Sequence, residues 1–131
     1  SPELGNRRVI VAVQIETVRA VSDVDAILSV AGVDAAFVGP SDLALSAGWE
    51  PTMTPRRPEH RDLILEVLRS AHAHGMPAGI YCGSAETAAT WRDAGFEMLA
   101  VTSDSIILKR GAVDALRRLR DEAARAGHSP G

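Results

Sequence analysis

Short apolar runs alternate with segments of helical period along almost the whole chain. Val9-Ile10-Val11-Ala12-Val13 reads as a fully buried strand, and a helix is predicted from about Val18 to Val30, with Val24, Ile27, Leu28 and Ala31 on one face. Gly32 closes that helix and Val33 to Val38 form a second strand. Gly39-Pro40-Ser41-Asp42 turns into a short helix through Leu43, Ala44 and Leu45, followed by a loop rich in proline and threonine from Gly48 to Pro58. Pro58-Glu59 opens a longer helix with Leu63, Val67, Ser70 and Ala71 on one face; it ends at His74-Gly75, before a third strand, Ala78-Gly79-Ile80-Tyr81. Ser84 caps the next helix, Gly95 stops it, and Met98-Leu99-Ala100-Val101 make a fourth strand. A last helix from about Ser105 directs Ile106, Val113, Leu116 and Leu119 inward, and the tail after Gly127 is expected to fray.

Strands alternating with helices define an α/β fold with a parallel sheet and right-handed crossovers, in a single domain spanning residues 1–131. A closed eight-stranded barrel needs about 250 residues, so four β-α units amount to half of one. A small open doubly wound domain fits the same pattern.

At 131 residues, 46% hydrophobic, the chain is long enough for a sizeable core. Its apolar runs fall well short of the ~20 residues that span a bilayer. The net charge of −3 gives no broad attraction for nucleic acid. The single cysteine, Cys82, allows no internal disulfide and no thiolate metal cluster, which fits a cytoplasmic protein. Ser1-Pro2-Glu3-Leu4-Gly5-Asn6 has neither an initiator Met nor a signal-peptide core and reads as a truncated or excised start.

In a parallel α/β protein, chemistry gathers at the carboxyl end of the sheet. Two strands deliver carboxylates there: Glu16 in Val13-Gln14-Ile15-Glu16-Thr17, and Asp42 in Phe37-Val38-Gly39-Pro40-Ser41-Asp42-Leu43. Side chains alternate across a strand, so Gln14 and Glu16 project to one side. Two hard carboxylates from neighbouring strands point to a divalent cation. Each also has a structural explanation: Glu16 as an acid in the first helical turn, and Ser41 or Asp42 as a cap of free amides. Gly39 and Pro40 form a tight turn that leaves the Ser41 and Asp42 amides facing the cleft, suited to a carboxylate or phosphate.

These two segments, with Val33-Asp34-Ala35-Ala36 before the second and Gly48 after it, closely resemble the HpcH/HpaI aldolases in their C-terminal half. These are metal-dependent, pyruvate-forming class II aldolases of the phosphoenolpyruvate-binding barrel superfamily. His74-Gly75-Met76-Pro77-Ala78-Gly79-Ile80 and Phe96-Glu97-Met98-Leu99-Ala100-Val101-Thr102-Ser103-Asp104 extend the resemblance over nearly the whole chain. It implies the C-terminal half of a TIM (β/α)8 barrel, with Glu16 and Asp42 as metal ligands and Gln14 as the catalytic glutamine beside the keto acid. Gly39, Pro40, Ser41 and Asp42 bind the substrate carboxylate in this reading. The implied cofactor is Mg²⁺, Mn²⁺ or Co²⁺, and the implied reaction is cleavage of a 4-hydroxy-2-keto acid to pyruvate and an aldehyde, in a protein that is a homo-oligomer when full length. An Asp-x-Glu-His segment and an arginine that the family carries in its N-terminal half have no counterpart here, so the isolated chain is expected to be inactive.

Competing functions are a citrate lyase β- or malyl-CoA lyase-like enzyme and a non-catalytic half-barrel. A class I aldolase needs a lysine at a strand end, whereas Lys109, the only lysine, lies in the last helix. A receiver-type module would need an acidic cluster after its first strand and a lysine after its last. His72 and His74, two apart, face different ways and are expected to be surface or capping residues. Cys82 reads as a small buried hydrophobe, Ser103 and Asp104 as caps of the last helix, and Trp49 as a cover for the site or a subunit contact.

Overall fold

In the computed structural model, which describes residues 9–127, four strands form one parallel sheet. They are β1 (Ala12–Ile15), β2 (Ala35–Val38), β3 (Ala78–Tyr81) and β4 (Met98–Ala100), in the spatial order β1-β2-β3-β4. Between them lie α1 (Val18–Ser22), α2 (Val24–Leu28), α3 (Pro40–Ser46), α4 (Pro58–Ala73) and α5 (Ala85–Ala94); α6 (Asp104–Ala126) follows β4. The residues up to Val101 make one compact unit, and those from Thr102 onward make another. The start at Ser1–Asn6 and the tail beyond Gly127 lie outside the described residues.

The strand order decides between the two architectures that periodicity left open. A doubly wound sheet reverses its order at a switch point, and these strands follow one another without reversal. With right-handed crossovers, such a progression lays every connecting helix on the same face, as in a barrel wall. The core agrees, since Ile15, Ala36, Val38, Ala78 and Ile80 from the sheet are buried with Leu28, Ile64, Val67, Ala71 and Trp91 from the helices. The register aligns Gln14 with Phe37, Phe37 with Gly79 and Gly79 with Met98, so these four form a row across the opposite face. Half of a TIM barrel is the result.

Several elements differ from their sequence patterns. Val9 and Ile10 are 62% and 77% exposed, and β1 begins only at Ala12. β1 is an edge strand, and ahead of Val11, whose carbonyl accepts from the Asp34 and Ala35 amides, no partner among the described residues covers the apolar run. The helix predicted over Val18–Val30 is two short ones. At Asp23 the backbone (φ −99°, ψ 9°) leaves the helical region, and its amide closes α1 onto the Arg19 and Val21 carbonyls. Along α6, Val113, Leu116 and Leu119 are exposed rather than directed inward.

Local chemistry explains most boundaries. Thr17 Oγ1 accepts from the Ala20 amide at 3.0 Å to start α1, and Ser84 Oγ accepts from the Thr87 amide at 3.2 Å to start α5. The Ser46 hydroxyl at the end of α3 accepts from the Val18 amide at 3.1 Å, tying α3 to the first turn of α1. His74 caps the end of α4 as expected, with Nδ1 2.9 Å from the Ser70 carbonyl. His72 has a different role: its Nε2 lies 2.8 Å from Glu97 Oε1, while Glu97 Oε2 accepts from the Ala78 amide at 2.9 Å. One carboxylate thus joins α4 to the starts of β3 and β4. Ser103 occupies the N-cap position of α6 without a side-chain cap bond, and Asp104 Oδ1 accepts from the Ser105 amide instead.

Candidate functional site

β1 and β2 run side by side to their carboxyl ends, where Ile15 pairs with Val38 and the Gly39 amide donates to the Ile15 carbonyl at 3.3 Å. This contact sets the residues after each strand, Glu16 and Gly39, against each other. Gln14 and Glu16 share a side, and Gln14 Nε2 donates to Glu16 Oε2 at 2.6 Å. A Cβ on Gly39 would lie 3.1 Å from Glu16 Oε2 and 3.2 Å from Gln14 Nε2. Glycine leaves room here for close approach, since the two polar side chains converge on its bare backbone.

Beyond Gly39 the chain enters α3, with Pro40 in the first turn. Gly39 itself is the N-cap and no side chain makes a cap bond, so neither Ser41 nor Asp42 is spent as a cap. Glu16 likewise precedes the Thr17 cap and lies outside the first turn of α1, which contains no acid. The first-turn reading of Glu16 and the cap reading of Asp42 therefore fail, while Asp42 keeps the favourable position of an acid in the first turn of α3. The Ser41 and Asp42 amides fall in the first turn of α3, where intrahelical partners are lacking.

A cavity of about 220 Å³ opens at this point, lined by Gln14, Phe37, Gly39, Pro40, Ser41 and Asp42, together with Met53 and Tyr81. The structure thus brings together five of the six residues singled out from the sequence, with Glu16 reached through its bond to Gln14. Sequence reasoning missed Phe37, Tyr81 and Met53. Phe37 was legible in principle, because it stands two residues before Gly39 on the same face, and Tyr81 because it ends β3. Met53 lies in the proline-threonine loop, where no periodicity places a side chain.

The donor chemistry fits a hard divalent cation held by few protein ligands. Among the described residues the ion pairs lie elsewhere, so neither Glu16 nor Asp42 is neutralised by a basic side chain. No group of three or more His, Cys, Asp or Glu able to hold a metal occurs among the described residues. Two carboxylates therefore leave most positions to water or substrate, as Mg²⁺-type sites do. Cys82 takes no part in this chemistry. Its thiol is buried, sits 3.6 Å from the Ile80 carbonyl, and is pushed up in pKa by desolvation.

Comparison with known proteins matches the HpcH/HpaI aldolase/citrate lyase family over residues 3–110. A hydroxypyruvate/pyruvate aldolase of Rhizorhabdus wittichii is 39% identical over 98 residues, covering 75% of this chain and 39% of that protein. A 4-hydroxy-2-oxovalerate aldolase of Novosphingobium aromaticivorans is 36% identical over 122 residues, covering 93% of this chain and 46% of the relative. Among solved structures, an HpcH/HpaI aldolase/citrate lyase family protein from Burkholderia cenocepacia superposes with a TM-score of 0.81 at 35% identity, over 90% of this chain and 45% of that one. The chain thus spans less than half the length of these relatives. With its half-barrel, it belongs to the HpcH/HpaI aldolase/citrate lyase family.

Proposed function

We propose that this chain supplies the metal and carboxylate-binding part of a class II aldolase that cleaves a 4-hydroxy-2-keto acid to pyruvate and an aldehyde. The observation that carries this reading is the convergence of Gln14 and Glu16 on Gly39, beside the uncapped first turn of α3 that bears Asp42. The aldolase names of its relatives support it.

Glu16 and Asp42 hold the cation in this proposal. When bound, Mg²⁺, Mn²⁺ or Co²⁺ polarises the 2-keto group and offsets the negative charge that develops there as the C3–C4 bond breaks. Gln14 spends one N–H on Glu16, fixing that carboxylate, and keeps the second for the keto acid. The Ser41 and Asp42 amides receive the substrate carboxylate, favoured by the partial positive charge of the helix start. Phe37 and Tyr81 wall the cavity with ring surface and limit water around the reacting carbons.

Among the described residues, no histidine lines this cavity. Proton transfer to and from the 4-hydroxyl therefore comes from another part of the barrel, and we place this chain as its C-terminal half, within a cytoplasmic homo-oligomer.

The test is a coupled pyruvate assay of the whole protein with 4-hydroxy-2-oxovalerate, with and without EDTA. Turnover that EDTA abolishes and Mn²⁺ restores is the expected result. Chelator-insensitive pyruvate release would overturn the mechanism. Cleavage of a citryl or malyl thioester instead of the keto acid would assign the citrate lyase-like alternative, and no turnover of either would mark a non-catalytic barrel.

A further inference from the structure

The loop between α3 and α4 sends a side chain, that of Met53, into the cavity where Gln14 and Asp42 lie. Local bonds hold it there. The Thr52 hydroxyl donates to the Thr54 carbonyl at 2.8 Å and accepts from the Thr54 amide at 3.2 Å, folding the chain tightly around the residue between them. Thr54 Oγ1 lies 3.3 Å from Thr87 Oγ1, which pins this turn to the start of α5. Nearer α3, the Trp49 amide donates to the Ala44 carbonyl at 2.9 Å, and the Trp49 ring packs 5.8 Å from that of His60. Trp49 and Thr52 line a separate cavity of about 340 Å³, which shares no lining residue with the first. Tied at Trp49 on one side and at Thr54 on the other, the loop presents Met53 between them. The stem of Met53 is seated as well: a Cβ on Gly83, just past β3, would lie 3.3 Å from both its Cβ and its Cγ, and 3.9 Å from Tyr81 Cε1.

The first cavity is divided as a result. Gln14 from β1 and Ser41 and Asp42 from α3 bring polar groups, whereas Phe37, Tyr81 and Met53 bring carbon surface with one hydroxyl among the three. Neighbouring strands lie about 4.8 Å apart, so β1 and β3, with β2 between them, are separated by about 10 Å. The distance from the polar end to the Tyr81 and Met53 end is therefore that of a short carbon chain. Methionine suits such a wall, since its unbranched thioether fills space against aromatic rings.

We infer that Met53 is a specificity-determining residue, which limits the ligand of this cavity to 2-keto acids whose chain beyond C4 is short and apolar. The inference rests on the reading of the cavity as a keto acid site. With its carboxylate and carbonyl held at the β1–α3 end, the acid extends toward β3, and a methyl group beyond C4 is covered by Phe37, Tyr81 and Met53. A longer alkyl chain has to displace Met53, whose stem already rests on Gly83. A chain of hydroxyls would leave water for a wall that offers too few partners.

Straight-chain 2-keto acids that lack the 4-hydroxyl cannot undergo retro-aldol cleavage, so they report binding alone. Calorimetric titration of the whole Mn²⁺-loaded protein with 2-oxopentanoate and 2-oxooctanoate is expected to favour the shorter acid by at least about tenfold. Met53→Ala should bring the two within about threefold of each other, while Met53→Leu, of nearly the same volume, should keep the preference of the parent. In the coupled pyruvate assay, kcat/KM for 4,5,6-trihydroxy-2-oxohexanoate should fall at least about tenfold below that for 4-hydroxy-2-oxovalerate. Equal binding of the two acids by the parent, an undiminished preference in Met53→Ala, or faster cleavage of the trihydroxylated acid would each overturn the inference and leave the aldolase reading standing. Tail-length discrimination that Met53→Ala abolishes, in a protein that releases no pyruvate from either substrate, would support the inference and refute that reading. Binding of neither acid would overturn both.

Discussion

At Gly39 a single hydrogen atom stands where any other residue would place a methyl group against Glu16 and Gln14. Gly39→Ala would force Glu16 Oε2 and Gln14 Nε2 to yield by a few tenths of an ångström. The expected cost is about 1 kcal/mol of stability, together with weakened Mn²⁺ binding, because the displaced group is the proposed ligand. Thermal unfolding and calorimetric titration on the same sample check both, and unchanged metal affinity would show that the contact is incidental. Glu16→Ala and Asp42→Ala bear on the site more directly. Two anionic ligands are too few for one to be spared, so each variant should lose most Mn²⁺ affinity in the same titration. These residues were legible in the sequence because strand alternation and the strand-end rule need no tertiary information. The contact of Gln14 and Glu16 beside the bare face of Gly39 was not, since it depends on the β1–β2 register.

Elements are joined here by groups that periodicity does not expose. Glu97 bridges the last turn of α4 and the first residue of β3, and Gly79 makes room in the middle of β3 for the ring of Phe37 from β2. A Cβ on Gly79 would sit 2.5 Å from Phe37 Cδ2, so Gly79→Ala should push that ring toward the first cavity and cost about 1–3 kcal/mol, readable as a lower urea midpoint. Burial acts to raise the Glu97 pKa, but the Ala78 amide and the His72 ring outweigh it and hold the carboxyl below its usual value. The unfolded chain therefore takes up this proton first as pH falls. The stabilisation is fully present above the unfolded value of about 4.3 and is lost as pH drops through the lower folded value. Glu97→Gln should accordingly be less stable than the parent at pH 7, with the gap closing below pH 4; a constant gap would remove Glu97 from the linkage. Helix and strand positions along the chain were largely readable from apolar period. The missed break at Asp23 and the late start of β1 depended on a local amide bond and on where a partner strand begins.

Among the described residues the sheet ends at β1 and at β4, and Val9, Ile10 and, within α6, Val113, Leu116 and Leu119 are exposed. Such edges template association, so the 131 residues alone should sediment as a heterogeneous or self-associated species. A monodisperse monomer with one cooperative unfolding transition would contradict this. For the same reason the chain by itself should release pyruvate far more slowly than the whole protein. A positioned acid or base contributes about 10²–10⁴-fold, and among the described residues no histidine lines the first cavity. Four β-α units fitted half of a barrel and a doubly wound sheet alike, and the choice between them could not be read, because strand order is invisible to periodicity.

The loop between α3 and α4 gives two neighbouring residues to two different cavities, Thr52 to one and Met53 to the other. A peptide bond cannot be ordered on one side only. A contact that immobilises Thr52 prepays part of the conformational entropy that occupancy beside Met53 would otherwise cost, and the converse holds to the same factor. A change at Thr52 would then appear as a change of affinity beside Met53, with no displacement of the sheet beneath them.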